Sequence, residues 1–162
     1  MKKPALTIPF GMIALLASVP LLLAQSRTAE QIAAAVPALV TDVHSGGGWQ
    51  DGAERGIYRA VVVPTPGDGS AQVFVQWIAV KQDGAEPIVF KSVAIKEIAA
   101  KKLPNAFLTL EADKEGEITI VVASFDPATS KDTILAFKAT KPGNYLPTKA
   151  PEGQPAGAPP KQ

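Results

Sequence analysis

The stretch IYRAVVVPTPGDGSAQVFVQWIAVKQDG, residues 57–84, decides the fold that the sequence predicts. It contains two runs rich in Val, Ile and aromatic residues, Ile57 to Val63 and Ala71 to Lys81, and such runs are typical of β-strands. After them come Pro66-Gly67-Asp68-Gly69 and Gln82-Asp83-Gly84, whose glycines can take positive φ and whose Asp side chains can bond nearby backbone. The stretch therefore predicts antiparallel hairpins.

Five further strands are predicted outside this stretch, and a third hairpin turn at Asp113-Lys114-Glu115-Gly116. The strands are Leu39 to His44, Pro87 to Glu97, Ala106 to Ala112, Glu117 to Ser124 and Thr133 to Thr140. No long amphipathic helix separates them, so parallel pairing through helical crossovers is not expected. Seven short strands predict an all-β, antiparallel two-sheet sandwich, which resembles immunoglobulin and fibronectin domains in outline.

Two of these strands indicate where the core lies. Ile118, Ile120 and Val122 share one face of their strand, because successive side chains alternate between faces. In the run that follows Ala71, Trp77 shares a face with Val73 and is expected in the core.

The N-terminal residues 1–26 have the pattern of a secretory signal peptide. Lys2 and Lys3 precede an apolar run from Phe10 to Leu23, and small residues allow a cut after Ala24 or Ser26. An uncleaved membrane anchor is the alternative, but a span needs about 20 apolar residues. The sequence thus predicts a periplasmic or secreted protein without stable membrane insertion after cleavage.

Both ends of the predicted sandwich domain, residues 38–146, carry other segments. Residues 27–37 contain a capping box, Thr28-Ala29-Glu30-Gln31, which predicts a short helix that ends before Pro37. Residues 147–162 are rich in Pro and Gly and contain no large apolar residue, which predicts a disordered tail.

Composition excludes several classes of function. The 162 residues include one His and no Cys, so disulfides, thiolate metal sites and thiol nucleophiles are excluded, and no metal or cofactor site is predicted. The formal net charge is +1. Nucleic acid is therefore not an expected partner.

The segment from His44 to Gly52 is the strongest candidate for a binding loop. Its glycines allow close approach of the backbone to a ligand, and Trp49 offers a flat apolar face. In the simpler interpretation, the segment is a mobile strand connection whose Trp covers the end of the sandwich. The candidate ligand-binding residues are His44, Ser45, Gly46, Gly47, Gly48, Trp49, Asp51 and Tyr58.

Two sharper hypotheses come from particular side chains. Asp42 and His44 project to the same face of a strand, as a hydrolase with His44 as general base requires, but Ser45 starts toward the opposite face. An exposed cluster of Trp49, Tyr58, Trp77 and Tyr145 would instead favour sugar stacking, whereas buried rings leave a protein partner or none.

The sequence as a whole favours an exported, non-catalytic binding or interaction module of the cell envelope. The expected partner is an envelope protein, a peptide or a polysaccharide, bound at the 44–52 segment or at an exposed sheet edge. The alternatives are a hydrolase that uses His44 and a structural or assembly protein in which the Pro-rich tail is a spacer.

Overall fold

A computed structural model describes residues 29–81, 84–113 and 116–151 of the chain. The predicted signal peptide, with its cleavage positions, and residues 152–162 of the predicted tail lie outside the described residues. The chain divides into two units after Ala35, with both sheets in the second unit.

The described residues form eight strands and two short helices. In chain order they are α1 (Ala29–Ala34), β1 (Asp42–Asp51), β2 (Glu54–Pro64), β3 (Ala71–Ala79), β4 (Ile88–Ala94), α2 (Lys96–Lys101), β5 (Ala106–Ala112), β6 (Ile118–Asp126), β7 (Lys131–Ala139) and β8 (Tyr145–Thr148). α1 lies within the predicted helical segment. Within the described part of the chain, neither helix has the length and apolarity that a membrane span requires.

The fold is all-β, with two antiparallel four-stranded sheets, as predicted. The first sheet has the order β1-β2-β3-β4 and the second β5-β6-β7-β8, so each sheet is a meander of consecutive strands. In immunoglobulin domains, by contrast, Greek-key connections exchange strands between the sheets. The likeness to those domains is therefore limited to the packing of two antiparallel sheets.

The three predicted hairpins are confirmed by the pairings of β2 with β3, β3 with β4, and β5 with β6. In the first turn, Gly67 and Gly69 have φ of 95° and 66°. Asp68 accepts hydrogen bonds from the Ser70 backbone N–H at 2.9 Å and from the Ser70 hydroxyl at 2.7 Å. The glycines and the Asp side chain predicted to form this turn therefore do form it.

Side chains from both sheets form one hydrophobic core. Ile118, Ile120 and Val122 are fully buried along β6, and Trp77 is fully buried on β3, as predicted. At one pair of sheet edges, β1 lies beside β5, where the Leu108 backbone N–H donates to Asp42 at 3.0 Å.

One backbone carbonyl links the sheets at the far end of the core. The Thr140 carbonyl, just after β7, accepts hydrogen bonds from the Tyr58 hydroxyl at 2.9 Å and from Trp77 Nε1 at 3.0 Å. The buried polar atoms of two aromatic residues in the first sheet therefore have a hydrogen-bond partner in the second sheet. This partner removes the free-energy cost of burying those atoms unpaired.

The boundaries differ from the prediction at three places. The strand predicted over Pro87 to Glu97 ends at Ala94 and α2 follows, because Ile98 turns into the core from a short helix. An eighth strand, β8, pairs with β7 and includes Pro147 and Thr148, the first residues of the predicted tail. The third difference concerns the glycine-rich segment.

Candidate functional site

The glycine-rich segment is part of a strand, whereas the sequence predicts a loop. β1 continues to Asp51 and pairs with β2, with a register shift between Gly46 and Trp49. A β-bulge accommodates an extra residue in this way. Gly47 has φ of 62°, and a Cβ there would lie 2.3 Å from Ile118 Cγ2 on the second sheet. Gly47 therefore serves the packing of the two sheets against each other.

The two aromatic candidates lie in the core. Trp49 is 5% exposed and Tyr58 is 1% exposed. Trp49 Nε1 donates to the Ile57 carbonyl at 3.1 Å, and its ring stacks on Phe90 of β4 with centroids 5.4 Å apart. Trp49 thus covers the end of the core, as the simpler interpretation of this residue holds, but from a strand.

His44 and Asp42 do lie together, as their spacing on β1 predicts. His44 Nε2 is 3.1 Å from Asp42 Oδ1, while the other carboxylate oxygen accepts the Leu108 backbone N–H. Both residues line a cleft of about 410 Å³ where β1 meets the start of β5. Asp42 therefore links the two sheets at their junction and pairs with His44 beside it.

The same cleft offers His44 no serine to activate. Thr41 is the one hydroxyl residue among the described residues that line it. Ser45 is exposed and follows His44 on the strand, so it projects to the other face. A hydrolase site needs a nucleophile within hydrogen-bond reach of its base, and this geometry supplies none from the predicted residues.

The remaining candidates divide between surface positions and a second cleft. Asp51 is exposed at the tip of the β1–β2 hairpin, and Gly46 is half-buried in the ladder. Gly48, Trp49 and Tyr58 line a cleft of about 710 Å³, which we call the turn-end cleft. The turns that follow β1, β3, β5 and β7 all lie at this end, because each sheet is a meander.

The charge of Glu117 at the turn-end cleft is partly compensated by Lys138. Glu117 lines the cleft, and its carboxylate is 2.5 Å from Lys138 Nζ, which also lies 3.1 Å from Asp113. These hydrogen bonds raise the pKa of Lys138. Burial raises the pKa of Tyr58, and the charge of Glu117 raises it further. Tyr58 is therefore a neutral hydrogen-bond donor at neutral pH.

β4 is the most exposed apolar element of the first sheet, and no candidate residue predicted from the sequence lies on it. β4 is an edge strand, and Ile88, Val89 and Phe90 are 50%, 49% and 43% exposed. Their run of apolar residues is equally typical of a buried strand, so the sequence signal does not reveal the exposure. An exposed edge strand of this kind is a template for pairing with another chain.

The outer face of the first sheet continues this apolar surface. Val89 pairs with Ile78, and Ile78 pairs with Ile57, so the three side chains form one row across β4, β3 and β2. The neighbouring row is polar: Arg59 Nε donates to Gln76 Oε1 at 2.7 Å, and Gln76 Nε2 donates to Ser92 Oγ at 3.4 Å. The row that ends at Val89 thus presents an apolar position to an added strand.

Among the described residues, no group of three or more His, Asp or Glu side chains is placed to hold a metal ion. Comparison of the chain with models of protein families, with curated proteins and with solved structures finds no match.

Proposed function

We propose that the protein is an exported, non-catalytic binding module of the cell envelope that captures an extended segment of a partner protein along β4. The observation that carries the proposal is an edge strand with three consecutive large apolar residues, each roughly half exposed. Such a strand offers main-chain hydrogen bonds for affinity, and its alternate side chains give specificity.

The side chains on and beside β4 indicate which residues the partner segment should carry. Opposite Val89, an apolar side chain would extend the row of Ile57 and Ile78 by one position. Lys91 is exposed on the same strand, and its stem packs against the Gly143 position. An acidic residue near Lys91 would complement its charge. The expected segment is therefore extended, β-branched or aromatic at alternate positions, and acidic at one.

The burial of the aromatic residues supports a protein partner over a polysaccharide. Trp49, Tyr58 and Trp77 are all buried, and the hydrogen bonds of their polar atoms are internal. Sugar stacking needs exposed ring faces, and these three rings do not provide them.

The test is selection from a phage-displayed library of random heptapeptides on protein isolated from cells that produce the full chain. Enriched peptides should have apolar residues at alternate positions. A synthetic copy of one such peptide should lose affinity by about tenfold or more, equal to about 1.4 kcal/mol, for the variant Val89→Asp. The loss follows because a carboxylate would be desolvated beneath the added strand.

The matched control is Val43→Asp, since Val43 is 45% exposed and also lies on an edge strand of the first sheet. This variant should bind the peptide as the unaltered protein does. Circular dichroism verifies that both variants are folded. Equal loss in the two variants, or a library without enrichment, contradicts the proposal.

Export is tested separately by mass spectrometry of the protein isolated from the producing cells. The proposal expects an N-terminus at Gln25 or Arg27, the residues that follow the two possible cuts. A chain that retains residues 1–24 contradicts cleavage.

A further inference from the structure

The turn-end cleft combines exposed apolar side chains with two cations. Ile57 and Val80, which are 41% and 43% exposed, supply its accessible apolar surface, and Arg55 and Lys141 are the two basic residues among the described residues that line it. Its volume of about 710 Å³ lies in the range of small-molecule sites. This surface is distinct from the β4 edge, and the inference does not depend on capture of a partner segment.

The aromatic residues beneath the cleft are buried and offer no free donor. The Tyr58 hydroxyl and Trp77 Nε1 both donate to the Thr140 carbonyl, and Trp49 Nε1 donates to the Ile57 carbonyl. A ligand at this end therefore meets the aliphatic side chains of Ile57 and Val80 and must find its polar partners elsewhere.

The two cations supply those partners. Within the described residues, neither the Arg55 guanidinium nor the Lys141 ammonium forms an ion pair, whereas Lys81 is paired with Glu54 and Lys138 with Glu117. Glu117 is the one acidic residue among the described residues that line the cleft, and Lys138, which it shares with Asp113, compensates part of its charge. A guanidinium and an ammonium without partners bind carboxylate, sulfonate or phosphate groups.

We propose that the turn-end cleft binds a small anionic compound with an apolar body. The body packs against Ile57 and Val80, and the anionic group is held by Arg55 and Lys141.

The test uses two fluorescent probes that differ in one group. 8-Anilinonaphthalene-1-sulfonate carries a sulfonate, and N-phenyl-1-naphthylamine has the same rings without it. The folded protein should bind one equivalent of the sulfonate about tenfold or more tightly than the neutral probe. The double variant Arg55→Gln, Lys141→Gln should remove that preference and leave binding of the neutral probe unchanged.

Three further variants control the result. Lys81→Gln removes a cation that already has a partner, so it should leave both affinities unchanged. Gly48→Leu places a side chain in the cleft lining, where a Cβ meets nothing closer than the Gly56 carbonyl oxygen at 3.7 Å, and should weaken both probes. Val89→Asp should leave sulfonate binding intact, which separates this site from β4. Equal affinity for the two probes, or a preference that survives the double variant, overturns the proposal.

Discussion

Gly47 is the position at which a single methyl group should most disturb the packing of the two sheets. Its φ of 62° lies in the left-handed region, which costs a residue with a Cβ about 1–2 kcal/mol. The added Cβ would lie 2.3 Å from Ile118 Cγ2 and 3.4 Å from Tyr58 Cδ2, and overpacking of this kind costs about 1–3 kcal/mol. Ala also lowers the conformational entropy of the unfolded chain, which offsets about 0.4–1 kcal/mol of this destabilisation. Gly47→Ala should therefore lower the free energy of unfolding by about 2–4 kcal/mol.

The neighbouring glycine provides the matched control. Gly46 does not have a positive φ, and a Cβ there would meet nothing within 4 Å, so Gly46→Ala should change stability by less than about 1 kcal/mol. Urea unfolding followed by circular dichroism measures both variants. With an m-value of about 1.5 kcal/mol/M, a loss of 3 kcal/mol lowers the midpoint by about 2 M. Equal midpoints for the two variants would refute the assignment of this segment to a bulged strand packed on Ile118.

Three further predictions concern single contacts. Tyr58→Phe should lower the free energy of unfolding in urea by about 1 kcal/mol and no more, because Trp77 still satisfies the Thr140 carbonyl; a loss above about 3 kcal/mol would show that the hydroxyl has another role. Hydrogen bonds from the Thr129 hydroxyl and the Ala128 N–H hold the pKa of Asp126 below its ordinary value, so their stabilisation is complete above the unfolded-state pKa of about 3.9 and is lost as the pH falls through the lower folded-state value. The melting temperatures of Asp126→Ala and the unaltered protein should accordingly differ at neutral pH and converge in acid, and a pH-independent difference would contradict this. Iodide should quench the fluorescence of the two tryptophans only weakly until the protein unfolds, since both are buried, and strong quenching in the native state would place Trp49 in solvent.

The sequence predicts those parts of the fold in which side-chain pattern and turn chemistry agree. Ile118 and Ile120 flank the polar Thr119, and Asp68 precedes a turn glycine, so the strand and the hairpin are both identifiable. The glycine-rich part of β1 is not identifiable, because glycine carries no side chain whose period could be read. Its strand conformation depends on pairing with β2, which is a tertiary interaction.

The sequence does not show which apolar residues at the candidate sites are exposed to solvent. Val89 and Val75 look alike as members of apolar runs, yet Val89 is half exposed and Val75 is fully buried, because β4 is an edge strand and β3 is central. The pairing of Asp42 with His44 is predictable, since it depends only on strand periodicity. The turn-end cleft is not predictable, since Arg55 and Lys141 come to line one cleft only when the two meanders stack.

Amide hydrogen exchange along β4 tests the central claim most directly. With a library-selected peptide at saturating concentration, NMR should show exchange slowed by about tenfold or more at the outward-directed amides of Ile88 to Lys91, since an added strand protects the main-chain groups that it pairs with. Exchange around Val43 on β1 should not change. Protection confined to β1 or to the turn-end cleft, with β4 unchanged, would contradict the account.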